Sequence, residues 1–180
     1  MSDNVAPLPA LGIPLLFDYL YWFRDRVLRI AGGLSDAAFL ETPSSHGRDL
    51  RATLAHELDV ETSWRARLRG RPESEWGPEA EIEPQRFTSV AELEAMWRED
   101  EAVMREWLRA LAPSDLDRPV TTNRLEGYPL SIYLLHVIEH GVTELASAAG
   151  ILHGMGHAAG DLGVLNALDD LAPMPRPGAA

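Results

Sequence analysis

The chain contains no cysteine among its 180 residues. A disulfide framework, a thiolate nucleophile and a cysteine-ligated zinc site are therefore excluded. Long apolar runs are also missing, since the longest, near residues 130–138, is too short and too interrupted to span a bilayer. The first four residues do not begin a basic region followed by an apolar segment, which a secretion signal requires. We therefore expect a cytoplasmic protein that does not enter the membrane.

Positive charge is scarce, with 16 basic residues against 28 acidic ones and a net charge of −12. Such a field repels phosphate backbones, so a nucleic-acid partner is not expected. Arg65, Arg67, Arg69 and Arg71 nevertheless crowd the end of the second predicted long helix. Helix C-termini favour cations, which explains the cluster without a ligand. The alternative is an anion-binding edge.

The spacing of the apolar residues predicts helices and no strands, so the expected fold class is all-α. In the first helix, Leu16, Leu20 and Phe23 step by four and three, as in the seam of a bundle. The third helix opens with a capping box from Ser89 to Glu92. Four helices packed up and down are the default architecture for such a chain. The predicted helices span residues 14–31, 48–69, 89–111 and 130–153, followed by a short fifth helix near 161–171.

One domain accounts for a chain of this length and leaves enough residues for a proper core. We predict a disordered N-terminal tail over residues 1–12, a helical bundle domain over 13–171 and a Pro-rich tail over 172–180. A long acidic segment, 71–87, separates the second and third helices and carries Trp76. A loop of this length is either a lid or binding element, or a surface excursion with one buried anchor.

Imidazole and carboxylate groups recur on one ridge of the fourth predicted helix. His136, His140 and Glu144 are spaced by four residues, so each lies about one helical turn above the last. His56, on the second helix, adds another imidazole. One ligand from one helix and an i, i+4 pair from another can build a three-point metal site inside a bundle. The set of His56, His140 and Glu144 would leave coordination positions open, as catalysis requires.

Other interpretations of these residues stay open. Two histidines four apart arise by chance in a chain with six histidines, and Glu144 could instead pair with a cation or face water. Glu61, five residues after His56, points toward the apolar side of its helix. It is either an acceptor that holds an imidazole tautomer or a buried hydrogen-bond partner. Imidazole suits zinc, nickel, iron or copper, and a carboxylate is acceptable to all of them.

Three segments carry a recognisable family pattern. Residues 47–64 contain a His, an acidic residue five later and then an aromatic, which resembles the second helix of DinB-like proteins, the DinB/YfiT group. Residues 135–144 with the turn at 154–162 resemble that family's last bundle helix, and residues 16–22 resemble its first. The resemblance covers roughly residues 13–171, and it depends on the order and spacing of several weak motifs.

The resemblance implies a four-helix bundle with up-down-down-up connectivity, a long crossover and frequent homodimers, in place of the up-and-down default. It also implies a divalent metal, such as zinc, nickel, iron or manganese, held by three His. His56 and His140 take two of these positions, and Glu144 stands at the third. His136 matches a His one turn earlier that is not usually a ligand. The site is then a two-His, one-carboxylate variant; the alternatives are a metal shifted to His136 and His140, or a lost metal.

The resemblance also implies an activity, because characterised relatives include transferases that use low-molecular-weight thiols and a mycothiol-dependent isomerase. The metal would bind a small thiol as thiolate, and hydrolysis by an activated water is the chemical alternative. Glu61 would orient a ligand or move a proton, and Tyr133 and His136 would lie just outside the ligands. The competing interpretation is a non-catalytic, metal-free bundle that acts as a ligand-binding or stress-associated dimeric scaffold.

Overall fold

The computed structural model describes residues 12–44 and 47–171. The predicted tails, 1–12 and 172–180, lie outside the described residues except for Gly12, which begins the first helix; His46, expected in a loop, also lies outside them. The described residues form no β-strand, only isolated bridges such as that between Pro119 and Pro129, so the chain is all-α. The helices are α1 (Gly12–Ala31), α2 (Asp36–Leu40), α3 (Leu50–Leu68), α4 (Val90–Ala110), α5 (Pro113–Leu116), α6 (Leu130–Gly154) and α7 (Val164–Leu171).

Local signals place the ends of the long helices close to the predicted positions. The Ser89 hydroxyl accepts the N–H of Glu92, while the Glu92 carboxylate accepts the N–H of Thr88, so a box of reciprocal hydrogen bonds starts α4. Asp49 caps α3 by accepting the N–H of Ala52. The short helices α2 and α5 were not predicted, because four or five residues are too few to show a helical repeat.

Side-chain contacts fix the relative directions of the long helices. Contacts between α1 and α4, and between α3 and α6, run in opposite chain order, so these pairs are antiparallel. Contacts between α3 and α4 run in the same order, so that pair is parallel. The connectivity is therefore up-down-down-up, as the resemblance implies, and the up-and-down default is wrong. The contacts are Asp18–Arg105, Asp25–Arg98, Glu57–His140, Trp64–His136, Glu61–Trp97 and Arg65–Asp100.

Parallel neighbours α3 and α4 require a crossover, which residues 69–89 supply. This segment contains three 3-10 turns and is fixed to the core by buried Ile82 and Phe87. Trp76 is half-buried and donates its indole N–H to the carbonyl of Arg71 at 3.0 Å. The crossover therefore has two buried anchors, and neither of them is the tryptophan.

The C-terminal helix α7 packs on α1. The indole N–H of Trp22 donates to Asp170 at 2.8 Å, and the Tyr19 hydroxyl donates to the carbonyl of Leu162 at 3.0 Å. Helix α7 begins later than predicted, because the Asp161 side chain accepts the N–H of Gly163 and forms a turn there. None of the described helices combines the length and apolar character that crossing a membrane takes.

Candidate metal centre

Three metal-ligating groups converge where α3 passes α6. One nitrogen each of His56 and His140 and one oxygen of Glu144 all lie within 4.8 Å of one another. The two imidazole centroids are 5.3 Å apart, and His140 Nε2 lies 4.0 Å from Glu144 Oε1. The four-residue spacing stacks His140 and Glu144 on one face of α6, and the antiparallel α3 brings His56 to them. The structure thus brings together the three residues singled out in the sequence.

The chemistry of this set, and the spacing of one pair within it, fit a divalent metal. Zinc lies about 2.0–2.2 Å from nitrogen and oxygen ligands, so two ligands of one ion are at most about 4.4 Å apart. The 4.0 Å between His140 Nε2 and Glu144 Oε1 falls within that limit. Two imidazoles and a carboxylate suit a divalent transition metal. All three side chains are half-buried, so such an ion would keep positions open to a ligand.

Both imidazoles are held in the neutral form that a ligand requires. Burial lowers the pKa of His56, and the Arg48 guanidinium lowers it further against the opposing charge of Glu144. Burial likewise lowers the pKa of His140, against the charge of Glu144 on its own helix. Since the ordinary pKa of His is about 6.5, both rings are neutral at pH 7 and keep a lone pair for a metal.

Glu57 lies beneath His140 and orients its ring. The fully buried carboxylate places Oε2 2.7 Å from His140 Nδ1. A metal on Nε2 requires the proton on Nδ1, and in that tautomer Nδ1–H donates to the Glu57 carboxylate and Nε2 is turned toward Glu144. Burial raises the pKa of Glu57 well above its usual range, and the charges of Glu61 and Glu144 add to the effect.

Gly141 makes room for this carboxylate. A Cβ atom at Gly141 would lie 2.5 Å from Glu57 Oε1 and 2.7 Å from a methyl carbon of Leu20. The same Oε1 is buried and has no hydrogen-bond partner among the described residues. Sequence reasoning missed Glu57, although a signal was present. A glutamate stands on the apolar stripe of α3, and it faces a glycine directly after a predicted ligand.

Glu61 lies one turn after Glu57 and is equally buried, but its hydrogen bonds go to α1 and α4 and not to α6. Tyr21 donates its O–H and Trp97 its indole N–H to the Glu61 carboxylate. These contacts make Glu61 a buried hydrogen-bond partner, which is one of its two predicted roles. The other role, holding an imidazole, belongs to Glu57. Burial raises the pKa of Glu61 to about 7, with the charge of Asp100 adding to it. Its role in moving a proton stays a prediction.

Two further residues expected near the ligands border the site along α6. The ring centroid of His136 is 6.4 Å from that of His140 and 5.0 Å from that of Trp64, which it meets edge-on. Tyr133 stacks on Trp64 at 5.9 Å, and its hydroxyl accepts the N–H of Glu126 at 3.0 Å. His136 is outside the converging set, so the geometry favours His56, His140 and Glu144 over a shifted pair.

Arg48 completes the site and was not predicted. Its Nη2 donates to Glu144 Oε1 at 2.9 Å, with the arginine side chain 36% exposed and the glutamate 12% exposed. The alternative in which Glu144 pairs with a cation is therefore observed. Arg48 precedes the cap of α3, and nothing local in a single sequence connects it to a residue 96 positions away.

A groove of about 310 Å³ lies between α3 and the crossover, and its lining does not include the three converging side chains. The Arg67 guanidinium carbon lies 5.2 Å from the ring centroids of both Trp64 and Trp76, so it ties the crossover to the helix. Asp59 and Glu81 line the groove and also act electrostatically on His56. The groove is lined by Asp59, Ser63, Trp64, Arg67, Trp76, Gly77, Pro78 and Glu81.

Fold and site together define a four-helix bundle with a His/Glu cluster that could hold a metal. A family model described as the DinB superfamily matches residues 19–147, which include all three converging side chains. The chain therefore belongs to the DinB superfamily, a family associated with metals. A comparison with curated proteins found no match.

Proposed function

We propose that this protein is a divalent-metal-dependent enzyme that acts on a small molecule where α3 passes α6. The observation that carries the proposal is the convergence of His56, His140 and Glu144 within 4.8 Å. A groove of about 310 Å³ between α3 and the crossover includes Asp59 and Glu81, which act electrostatically on His56. A catalytic metal needs three protein ligands and an open position, and a substrate needs a concave seat. The neutral imidazoles and the hydrogen bond from His140 to Glu57 support the ligand assignment.

The proposed reactions are transfer of a low-molecular-weight thiol and hydrolysis. The chemistry that a divalent ion supplies in such a site is a lowered pKa for a bound thiol or water. The chain contributes the orientation of His140 through Glu57, and aromatic walls at Trp64 and Trp76 against which a substrate packs. The resemblance favours thiol transfer over hydrolysis.

Elemental analysis of protein purified without a His-tag or chelator tests the metal centre. We expect about one divalent metal per chain in the wild type, and its loss in His56→Ala and His140→Ala with the helical circular dichroism retained. His153→Ala, an exposed histidine near the end of α6, is the matched control and should keep the metal. Equal metal content in all four proteins would place the metal elsewhere.

An activity test uses the groove. After loading with zinc, nickel or manganese, the protein is screened for thiol transfer to an electrophile and for ester hydrolysis. For a substrate seated in the groove, Trp76→Ala should raise KM more than it lowers kcat, because the indole contacts the bound molecule and not the reacting atoms. An unchanged KM would remove the groove from the proposal while leaving the metal centre in place.

The second candidate function is a non-catalytic, metal-free scaffold that binds a ligand. The ion pair between Arg48 and Glu144 favours it, since a cation of the chain already neutralises the third ligand. A protein that takes up no zinc, nickel or manganese in titrations, yet binds small molecules in the groove, would support this candidate. Stoichiometric metal that exchanges with solution would support the enzyme.

We also propose that the protein is a homodimer, as the family resemblance implies. Tyr128, Ile132 and Leu135 are exposed apolar side chains at the start of α6 and its preceding turn, and they offer a surface for a second copy. Light scattering after size-exclusion chromatography gives the mass in solution. A monomer at micromolar concentration would contradict this assignment without bearing on the metal centre.

A further inference from the structure

Arg48 and a divalent metal would use the same carboxylate. The guanidinium donates to Glu144 Oε1 at 2.9 Å, and the Glu144 side chain is only 12% exposed. Water is therefore a minor partner of this carboxylate, and its charge is balanced mainly by the arginine. A metal that binds there has to replace that interaction.

The contact lies on the side of Glu144 that faces the other ligands. Oε1, the oxygen that accepts from Arg48, is also the one 4.0 Å from His140 Nε2. A residue that merely orients a ligand holds the part of the side chain turned away from the metal, as Glu57 does for His140. Arg48 instead contacts the oxygen closest to the place where an ion would sit.

The positive charge of Arg48, like its position, opposes a metal ion at Glu144. A guanidinium stays protonated at every accessible pH and cannot leave the site by losing its charge. It can leave by rotation, because Arg48 precedes the N-cap of α3 and its side chain is 36% exposed. Like charges at short range in a half-buried site repel one another.

We propose that Arg48 occupies Glu144 in the metal-free protein and is exchanged for the metal, so that this ion pair sets the metal affinity. This inference depends on the metal centre of the proposed function. Removing the guanidinium therefore strengthens metal binding, whereas removing an orienting residue would weaken it. The sign of the effect separates the two roles.

The test compares zinc dissociation constants of metal-stripped, full-length proteins by competition with a chromophoric chelator. Arg48→Met, which keeps an apolar stem and loses the charge, should bind zinc at least about fivefold more tightly than the wild type. Arg48→Lys keeps the charge and should stay close to the wild type. Arg109→Met removes an arginine of α4 that bonds only its own helix among the described residues, and should leave the affinity unchanged.

Circular dichroism and thermal melting confirm that each variant is folded before its affinity is compared. Unchanged affinity in Arg48→Met overturns the inference and leaves the metal centre intact. Weaker binding also overturns it and makes Arg48 an orienting residue. If Arg48→Lys binds as tightly as Arg48→Met, the charge is not the competitor and the inference fails. No zinc binding by any of the proteins overturns the metal centre and the inference together.

Discussion

Helix α3 carries two buried carboxylates one turn apart, and their contacts differ in how fully they pair the carboxylate oxygens. Toward α1 and α4, Glu61 accepts from both Tyr21 and Trp97. Toward α6, Glu57 has one oxygen bonded to His140 and the other without a partner among the described residues. The contacts of Glu61 therefore form a closed side, with both carboxylate oxygens paired, and those of Glu57 form an open side, with one oxygen unpaired.

The difference separates a structural role from a functional one. Buried polar groups that satisfy each other contribute a defined packing arrangement. A buried polar atom left unpaired has a cost and calls for an explanation such as a ligand or a catalytic role. We therefore expect changes to the polar groups of the closed side to alter stability, and changes to the polar groups of the open side to alter metal binding more than stability.

The largest effect is expected on the closed side, at Asp100. Its carboxylate pairs with the buried Arg65 and accepts from Thr62. Asp100→Ala leaves the guanidinium buried without its counter-charge, which should lower the free energy of unfolding by about 3–5 kcal/mol. Urea denaturation followed by circular dichroism measures the change.

The matched control for Asp100→Ala is Glu94→Ala on the same helix. Glu94 also pairs with an arginine, Arg98, but both side chains are about 40% exposed. Exposed ion pairs contribute about 0–1 kcal/mol, so the control should change little. Equal effects of the two substitutions would contradict the contrast between a buried and an exposed pair.

The pH dependence of stability should depend on Glu61. Its pKa in the folded chain is about 7 because burial disfavours the charged form, and its ordinary value is 4.5. As the pH rises, the unfolded chain therefore loses this proton at a lower pH than the folded chain. The stabilising contribution of the carboxyl group is complete below pH 4.5 and is lost as the pH rises through 7. Between pH 5 and pH 7 we expect a loss of about 2 kcal/mol in the free energy of unfolding.

Glu61→Gln should remove this part of the profile, since an amide does not titrate in the range, while Glu57, His56 and His140 keep their own contributions. Glu99→Gln, an exposed position on α4, should leave the profile as it is. Denaturant titrations at pH 5, 6 and 7 give the comparison. A Glu61→Gln protein that loses as much stability as the wild type between pH 5 and pH 7 would place the titrating group elsewhere.

Local sequence signals account for the helix ends but not for the helix directions. The cap at Ser89 begins α4 where it was predicted. No local signal shows whether α4 runs parallel or antiparallel to α3, because the 69–89 crossover permits either. Only the family resemblance implied the parallel arrangement, which contacts such as the ion pair of Arg65 with Asp100 now show.

The candidate site likewise contains residues that local sequence patterns predict and residues that only tertiary packing brings in. The ligand spacing on α6 is a local pattern, so His140 and Glu144 could be chosen from the sequence, and His56 was chosen as a further imidazole on another long helix. Glu57 was overlooked in favour of Glu61, since both face inward and only the packing against α6 distinguishes them. The partnership of Arg48 with Glu144 depends on tertiary structure alone.

Gly141 tests how closely α6 approaches Glu57 on the open side. A methyl group there would meet Glu57 Oε1 at 2.5 Å and Leu20 at 2.7 Å, so Gly141→Ala should destabilise the chain by about 1–2 kcal/mol through overpacking. Gly150→Ala is the control, because a Cβ at that position of α6 has no neighbour within 4 Å. It should stabilise by about 0.5–1 kcal/mol. Two changes of the same sign, measured by denaturation, would contradict the close approach.

The smallest effect is expected at Glu57, where the charge and not the shape is changed. Glu57→Gln keeps an oxygen that can accept from His140 Nδ1 but removes the negative charge that makes the ring a better ligand, so zinc affinity should fall about tenfold. The chain should remain at least as stable as the wild type, because the amide avoids burying a carboxylate whose pKa is raised by burial. Glu139→Gln, an exposed position adjacent to His140, controls for the loss of one charge near the site. Zinc titration and urea denaturation of the three proteins measure both quantities. A loss of stability without a loss of affinity would assign Glu57 to the closed side, and the contrast between the closed side and the open side would no longer hold.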